Sequence, residues 1–232
     1  MWTRQELKTR GKAAFKRNYW KSVAAGVVAM LVTGAAVSSG TRVSGGYEEF
    51  EAQLNAGLAQ SGISPLVFVS ILLAVLGISA LVSAAINAFL NNPIQVGVDR
   101  FFLKNGQEPA NLKELLYAFQ NGNYLKIVAV KFLAGLFIAL WSLLLVIPGI
   151  IKGFEYLMVG YILADDPDMG VMDALRKSKQ MMNGHKWNAF VLKLSFLGWG
   201  ILSLLTFGIL DIFYVRPYME ATYAELYLAL KQ

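Results

Sequence analysis

Apolar and polar positions along the chain fall into long blocks instead of the strict alternation of half-buried strands. Apolar text fills 22–39, 66–90, 127–147, 150–164, 187–207 and 209–230. Most of these approach the ~20 residues a helix needs to cross a hydrocarbon core. Asn91-Asn92-Pro93 is expected to bend or stop the second helix, since proline removes a backbone donor. Pro148-Gly149 and Gly208 read as turns between paired spans, and Asp165-Asp166-Pro167-Asp168 ends the fourth. The last block holds Asp211, Arg216, Pro217, Glu220 and Glu225. It reads as a sixth span because Leu210, Ile212, Phe213, Tyr214, Val215 and Tyr218 flank those charges. Five spans with an amphipathic tail is the alternative. The expected fold is therefore an all-α polytopic membrane helix bundle, a single domain of six spans in three helical hairpins (1–104, 105–164 and 165–232).

A common punctuation precedes each hairpin. Thr3-x-x-Glu6 leads to Asn18-Tyr19-Trp20-Lys21, Asn111-x-x-Glu114 leads to Gly122-Asn123-Tyr124-Leu125-Lys126, and Asp166-Pro167 leads to Gly184-His185-Lys186-Trp187. Each opening offers a side-chain oxygen to the free N–H groups of a helix start. Each ending places Tyr or Trp beside Lys, as at a headgroup boundary. Leu112, Leu115, Leu116 and Phe119 in the second, and Val171, Leu175, Ser178 and Met182 in the third, predict amphipathic helices along the inner interface. Internal triplication and a requirement shared by all cytoplasmic span starts both explain the pattern.

Composition sharpens this picture. Of 232 residues, 56% are hydrophobic and 16% charged, with a mean hydropathy of +0.49, which excludes a disordered chain and a water-soluble nucleic-acid-binding globule. With no Cys and one His, disulfides, thiol chemistry and a histidine metal cluster within the chain are excluded. Lys and Arg crowd the four inner segments, whereas the outer loop 40–65 holds only Arg42, so the N-terminus and the C-terminus are expected in the cytoplasm. The basic start 4–21 lacks a convincing cleavage site. These cations fit anionic lipid headgroups at the inner face better than nucleic acid.

Ionisable groups inside apolar blocks mark candidate sites, because their burial in lipid is costly. Lys152, Glu155, Lys193, Asp211, Arg216 and Glu220 form that set. Counted from the glycines of the outer turns, Lys152 and Asp211 lie about 4–5 Å deep, Glu155 about 9 Å and Arg216 about 12 Å. This predicts Lys152–Asp211 and Glu155–Arg216 pairs, with Glu220 reaching Arg216 or Lys193. Such pairs either fix hairpin packing or line a polar pocket of a small transporter or channel around Glu155, Arg216 and Glu220. Ser79, Ser83, Asn87 and Asn91 recur every fourth residue and are expected to face other helices. The acids at 165–168 and His185 read as turn and interface residues before they read as a metal or catalytic site. No catalytic residues, metal or cofactor are assigned, and a non-enzymatic lipid- or protein-organising role is expected.

Seven ordered blocks carry a resemblance: Met1-Trp2-Thr3-Arg4-Gln5-Glu6-Leu7-Lys8, Asn18-Tyr19-Trp20-Lys21, Ile147-Pro148-Gly149-Ile150-Ile151-Lys152, Tyr161-Ile162-Leu163-Ala164-Asp165-Asp166-Pro167, Met181-Met182-Asn183-Gly184-His185-Lys186-Trp187, Leu194-Ser195-Phe196-x-Gly198-Trp199 and Pro217-Tyr218-x-Glu220-Ala221-Thr222-Tyr223. The chain resembles the bacterial multi-pass membrane family catalogued as domain of unknown function 975. In architecture it is distantly similar to the membrane domains of some glycerophosphodiester phosphodiesterases. The resemblance implies an integral protein of the bacterial cytoplasmic membrane with no assigned reaction.

Overall fold

The structure, a computed structural model, describes residues 2–34, 56, 64–120 and 122–231, and among them every regular element is helical. The helices are α1 (Arg4–Arg17), α2 (Tyr19–Gly34), α3 (Pro65–Ile86), α4 (Asn92–Gln107), α5 (Tyr124–Leu144), α6 (Val146–Glu155), α7 (Val159–Asp165), α8 (Val171–Met181), α9 (Lys186–Leu194), α10 (Leu197–Leu205) and α11 (Arg216–Lys231). A 3-10 turn, Leu112–Leu116, runs into one helical turn, Tyr117–Gln120, between α4 and α5. Four stretches are long and apolar enough to cross a membrane: Leu66–Gln107, Tyr124–Leu144, Val146–Asp165 and Lys186–Leu205. The expected sixth span, 209–230, is not one of them.

Of the bend or stop expected at Asn91-Asn92-Pro93, the stop does not occur. The helix runs on from α3 into α4 through a π-bulge, Asn87–Asn91, in which the Asn92 N–H reaches back five residues to the Asn87 carbonyl. Proline at 93 has no N–H for the carbonyl four residues earlier, that of Phe89. The Tyr124 hydroxyl donates to that carbonyl instead. The same device recurs before α11. A second π-bulge, Asp211–Val215, ends with the Arg216 N–H bonded to Asp211 O, and the carbonyl orphaned by Pro217, that of Phe213, takes the Tyr19 hydroxyl at 3.3 Å. Two long helices thus pass a proline without breaking, each because a tyrosine at the start of another helix supplies the missing donor.

The segment after Pro93, whose Arg100 and Lys104 mark the cytoplasmic side in the sequence, is the centre of the molecule. Helix α4 packs against α1, α2, α5, α7, α11 and the 3-10 turn. It buries Val96, Val98, Phe101 and Phe102 with Ile162 and Leu163 of α7, Leu226 and Tyr227 of α11, and Leu7 and Phe15 of α1. Gly97 lets the backbones meet, since a methyl group there would overlap the Leu115 carbonyl. Helix α1 lies antiparallel along α11: Phe15 stacks edge-on to Tyr214, Gly11 abuts Thr222, and Arg10 Nε bonds Glu225 at 2.8 Å.

Thr3 caps α1 as expected, accepting from the Glu6 N–H at 3.2 Å. Asn111 accepts from the Lys113 N–H at 3.1 Å. The third predicted cap fails, because Asp166 accepts from the Asp168 N–H within a turn and α8 starts only after Gly170. Outside this packed base stand exposed apolar surfaces: nearly all of α3, the α5–α6 tip at 143–147, and the tip after α10, where Phe207 is 97% exposed.

Removing the Tyr124 hydroxyl (Tyr124→Phe) should cost about 1 kcal/mol of stability in detergent, the usual worth of one intramolecular hydrogen bond. In a Pro93→Ala background the backbone N–H returns, and Tyr124→Phe should then cost close to nothing. A double-mutant cycle by thermal unfolding reads the difference, and equal losses in both backgrounds would refute the assignment.

Candidate functional site

The structure divides the predicted charged set instead of gathering it. Glu155, at the C-terminal end of α6, is 2% exposed and ringed by three ammonium groups. Lys152 Nζ lies 3.0 Å from its carboxylate, Lys186 Nζ at the start of α9 lies 3.2 Å away, and Lys179 Nζ of α8 lies 3.6 Å away. The Ser178 hydroxyl donates to the Glu155 carbonyl at 2.8 Å, pinning α8 to the same point. One carboxylate among three lysines leaves two positive charges in excess. Lys193 stands apart, 5.9 Å above the Phe154 ring. Asp211 and Arg216 face each other at 3.9 Å across the second π-bulge.

The expected Lys152–Asp211 and Glu155–Arg216 pairs are therefore not the ones formed. The depth arithmetic assumed two regular helices starting at Gly149 and Gly208. Helix α6 instead breaks after Glu155, and the wider turn at Asp211–Val215 rotates α11 about its axis. Lys152 points back along its own helix to Glu155, the i,i+3 geometry of a helix surface.

Glu220 belongs to a second cluster, centred on a residue the sequence reading passed over. Asp99 of α4 is 5% exposed and takes a hydrogen bond from Gln95 Nε2 at 3.2 Å. It lies against Gly160 of α7, where an added methyl would overlap Asp99 Oδ2 and come within 3.4 Å of Lys131 Nζ of α5. The charge of Lys131 bears on both Asp99 and Glu220, and that of Arg216 bears on Glu220. With Asp211 beside Arg216 at 3.9 Å, the group holds three acids and two bases, and Tyr161 and Tyr223 lie within reach of the same field. The usable signal was the i,i+4 pair Gln95–Asp99. It was missed because polarity after Pro93 looked like exposure to water.

Around these clusters runs a shell of ties that hold the base together. Glu114 accepts from Arg100 Nε at 2.8 Å and Lys104 Nζ at 2.7 Å, while Arg100 also donates to the Ala164 carbonyl and lies 3.7 Å over the Tyr117 ring. Asn105 donates to Ala14 O at 2.8 Å and accepts from Asn18 Nδ2 at 2.9 Å, fastening the α1–α2 junction to α4. Asp165 accepts from the Tyr227 hydroxyl at 2.9 Å and Lys231 at 2.6 Å, and Asp168 accepts from Asn123 at 3.0 Å, so these acids serve separate contacts. His185 faces the Trp2 ring at 5.9 Å.

Residues 142–232 match the family model described as Protein of unknown function (DUF975). The matched part holds α6 to α11, and with them Glu155, its three lysines, Arg216 and Glu220. Asp99 and Lys131 lie outside it. No curated protein and no solved structure matches the chain.

Glu155→Gln and Lys186→Gln should be coupled in a stability cycle, because their charged groups lie 3.2 Å apart in one buried cluster. Glu155→Gln and Arg216→Ala should add to within about 0.5 kcal/mol, as independent sites do. Thermal unfolding of the single and double variants distinguishes the structure's pairing from the one the depth arithmetic predicts. A pH dependence arises at Glu114. Burial pushes its carboxyl up, but the hydrogen bonds from Lys104 and Arg100 outweigh that and hold it below its ordinary 4.5. Its stabilisation is full above that value and is lost as pH falls through the lower folded one. Glu114→Gln should flatten that acid limb in an unfolding series.

Proposed function

We propose that the chain is a non-enzymatic component of the bacterial cytoplasmic membrane that organises lipid around an inner-face base. The base comprises α1, α4, α7, α8 and α11, and both ends of the described chain belong to it, since Trp2 and Leu230 line one cavity. The observation that carries this reading is the seat of α1. Lys8 Nζ reaches Ser195 O at 3.3 Å and lies 4.5 Å over the Phe196 ring, while Arg4, Lys12, Lys16 and Arg17 of the same helix are exposed to the surroundings. Exposed cations hold α1 at the polar boundary. Only 197–210 of the third hairpin then projects beyond it. Lys186–Leu205 has the length to cross, but with α9 held in the base beside α1 only α10, nine residues or roughly 13 Å, meets a hydrocarbon core of about 30 Å. In place of six full crossings, this hairpin enters one leaflet, and α11 stays in the base beside α1.

That arrangement supports lipid organisation over transport. Glu155 sits among lysines at the end of α6, whereas Arg216 and Glu220 belong to α11, so the three groups of the transport hypothesis do not share one pocket.

A cysteine at Phe207 in the cysteine-free chain should resist an impermeant maleimide from either side of sealed vesicles and react with a membrane-soluble one. Labelling from outside would mean that the hairpin crosses. Protein purified from a mixed-lipid membrane should retain anionic phospholipid through detergent exchange in preference to zwitterionic lipid, and equal retention would count against the proposed role.

A further inference from the structure

Between α6 and α9 runs a groove of about 350 Å³. Ile147, Ile150 and Phe154 line it from α6, Trp187 and Phe190 from α9, and Lys186 stands at its mouth. Its direction is fixed by the helices. Ile147 is at the exposed α5–α6 tip, and Lys186 is at the base, within 3.2 Å of Glu155. From the Glu155 level to the tip at Leu145 is ten residues, roughly 15 Å, about the hydrocarbon depth of one leaflet.

The floor is aromatic and rigid: Phe154 and Phe190 meet edge to face at 5.9 Å, and Trp187 lies 5.3 Å from Phe190 with its ring largely exposed. The unbalanced charge lies at the mouth and beside it: Lys186 lines the groove, whereas Lys179 lines a neighbouring cavity with Tyr156 and Leu175. Glu155 neutralises one of Lys152, Lys179 and Lys186, and Lys179 is 63% exposed, free to reach outward. An apolar channel one leaflet deep that ends in two excess cations is complementary to a single molecule bearing both an acyl chain and an anion.

We propose that this groove binds an anionic phospholipid, with one acyl chain seated on Trp187 and Phe190 and running outward along α6 towards Ile147, and with the headgroup phosphate held by Lys186 and by Lys179, which reaches round from α8. Lys152 stays committed to Glu155, and the carboxylate keeps the three ammonium groups gathered when no lipid is bound. The site rests on the lipid-organising reading above and gives it a specific seat.

Trp187 reports directly on occupancy. In a variant with Trp2, Trp20, Trp141 and Trp199 changed to Phe, the full chain is reconstituted in phosphatidylcholine vesicles. Increasing fractions of phosphatidylglycerol or phosphatidylcholine with brominated acyl chains are then added. Trp187 should reach half-quenching at about a fivefold lower fraction of the brominated anionic lipid, the preference expected from about one surface lysine. Lys179→Gln with Lys186→Gln should bring the two curves together. Lys179→Gln alone changes an exposed residue that the fold does not need and should close part of the gap. Equal quenching by both lipids in the parent, or an undiminished preference in the lysine variants, overturns the site. If the protein still retains anionic lipid through detergent exchange while Trp187 shows no preference, the groove is wrong and the wider reading stands. Loss of both removes the wider reading as well.

Discussion

A carbonyl orphaned by proline has to find another donor, because leaving it unpaired in a water-poor interior costs more than the bond is worth when made. In this protein that requirement is met twice by a tyrosine hydroxyl, Tyr124 on Phe89 O and Tyr19 on Phe213 O. The consequence is architectural. Helix α3 continues into α4 for a combined 42 residues. The return of the third hairpin likewise continues into α11. Both prolines lie where an apolar, exposed stretch becomes a polar, packed one. The π-bulge before each proline shifts the register by one residue and sets which face of the next helix carries Asp99 or Glu220.

The two buried charge clusters differ in balance, and that difference separates their roles. Asp99 and Glu220 share the charges of Lys131 and Arg216 at the junction of α4, α5, α7 and α11, with Asp211 beside Arg216, so no cation there is in excess. Breaking such a set leaves a stranded charge, whereas the intact set adds little beyond a hydrophobic substitute, so its main effect is to specify how those helices meet. Glu155 is outnumbered by its lysines and lies at an edge, with Lys179 reaching outside. An unbalanced, accessible cluster has affinity left over for something anionic. The cluster without excess cations sits inside the packed base, and the cationic one borders the apolar surfaces.

Apolar runs of the length that lipid demands were legible in the sequence, as were the caps at Thr3 and Asn111 and the buried face of α8. The pairing of charges was not. Linear depth assumes regular helices, and the irregular turns at Tyr156–Met158 and Asp211–Val215 break that assumption. Helix α4 was hidden for a different reason. Asp99, Arg100, Lys104 and Asn105 look like a solvated segment, yet each is committed to a specific partner. Their polarity records internal hydrogen bonding, which no period or hydropathy average can tell from exposure. The expected inward stripe fared differently along its length. Asn91 bonds Asn87 at 3.0 Å within the bulge, while Ser79 and Ser83 remain exposed among the described residues.

The apolar elements leave the base to unequal depths. Helix α3 offers 22 residues, about 33 Å, which suffices for the whole hydrocarbon core, whereas α10 offers less than half of that beyond the level of α1. If the other three apolar stretches are partly taken up in the base, as the placement we propose requires, the molecule displaces more acyl volume from the leaflet nearest its base than from the other. Lipids next to the tips must tilt or shorten to fill the space beneath them, and the cost of that deformation is lowest where cations attract headgroups and an aromatic groove accepts a chain. The excess lysines around Glu155 and the groove between α6 and α9 occur together on this side of the molecule. On the proposed reading, a shape that strains one leaflet and a surface that binds its lipids are two results of the same placement of α1 against Ser195 and Phe196.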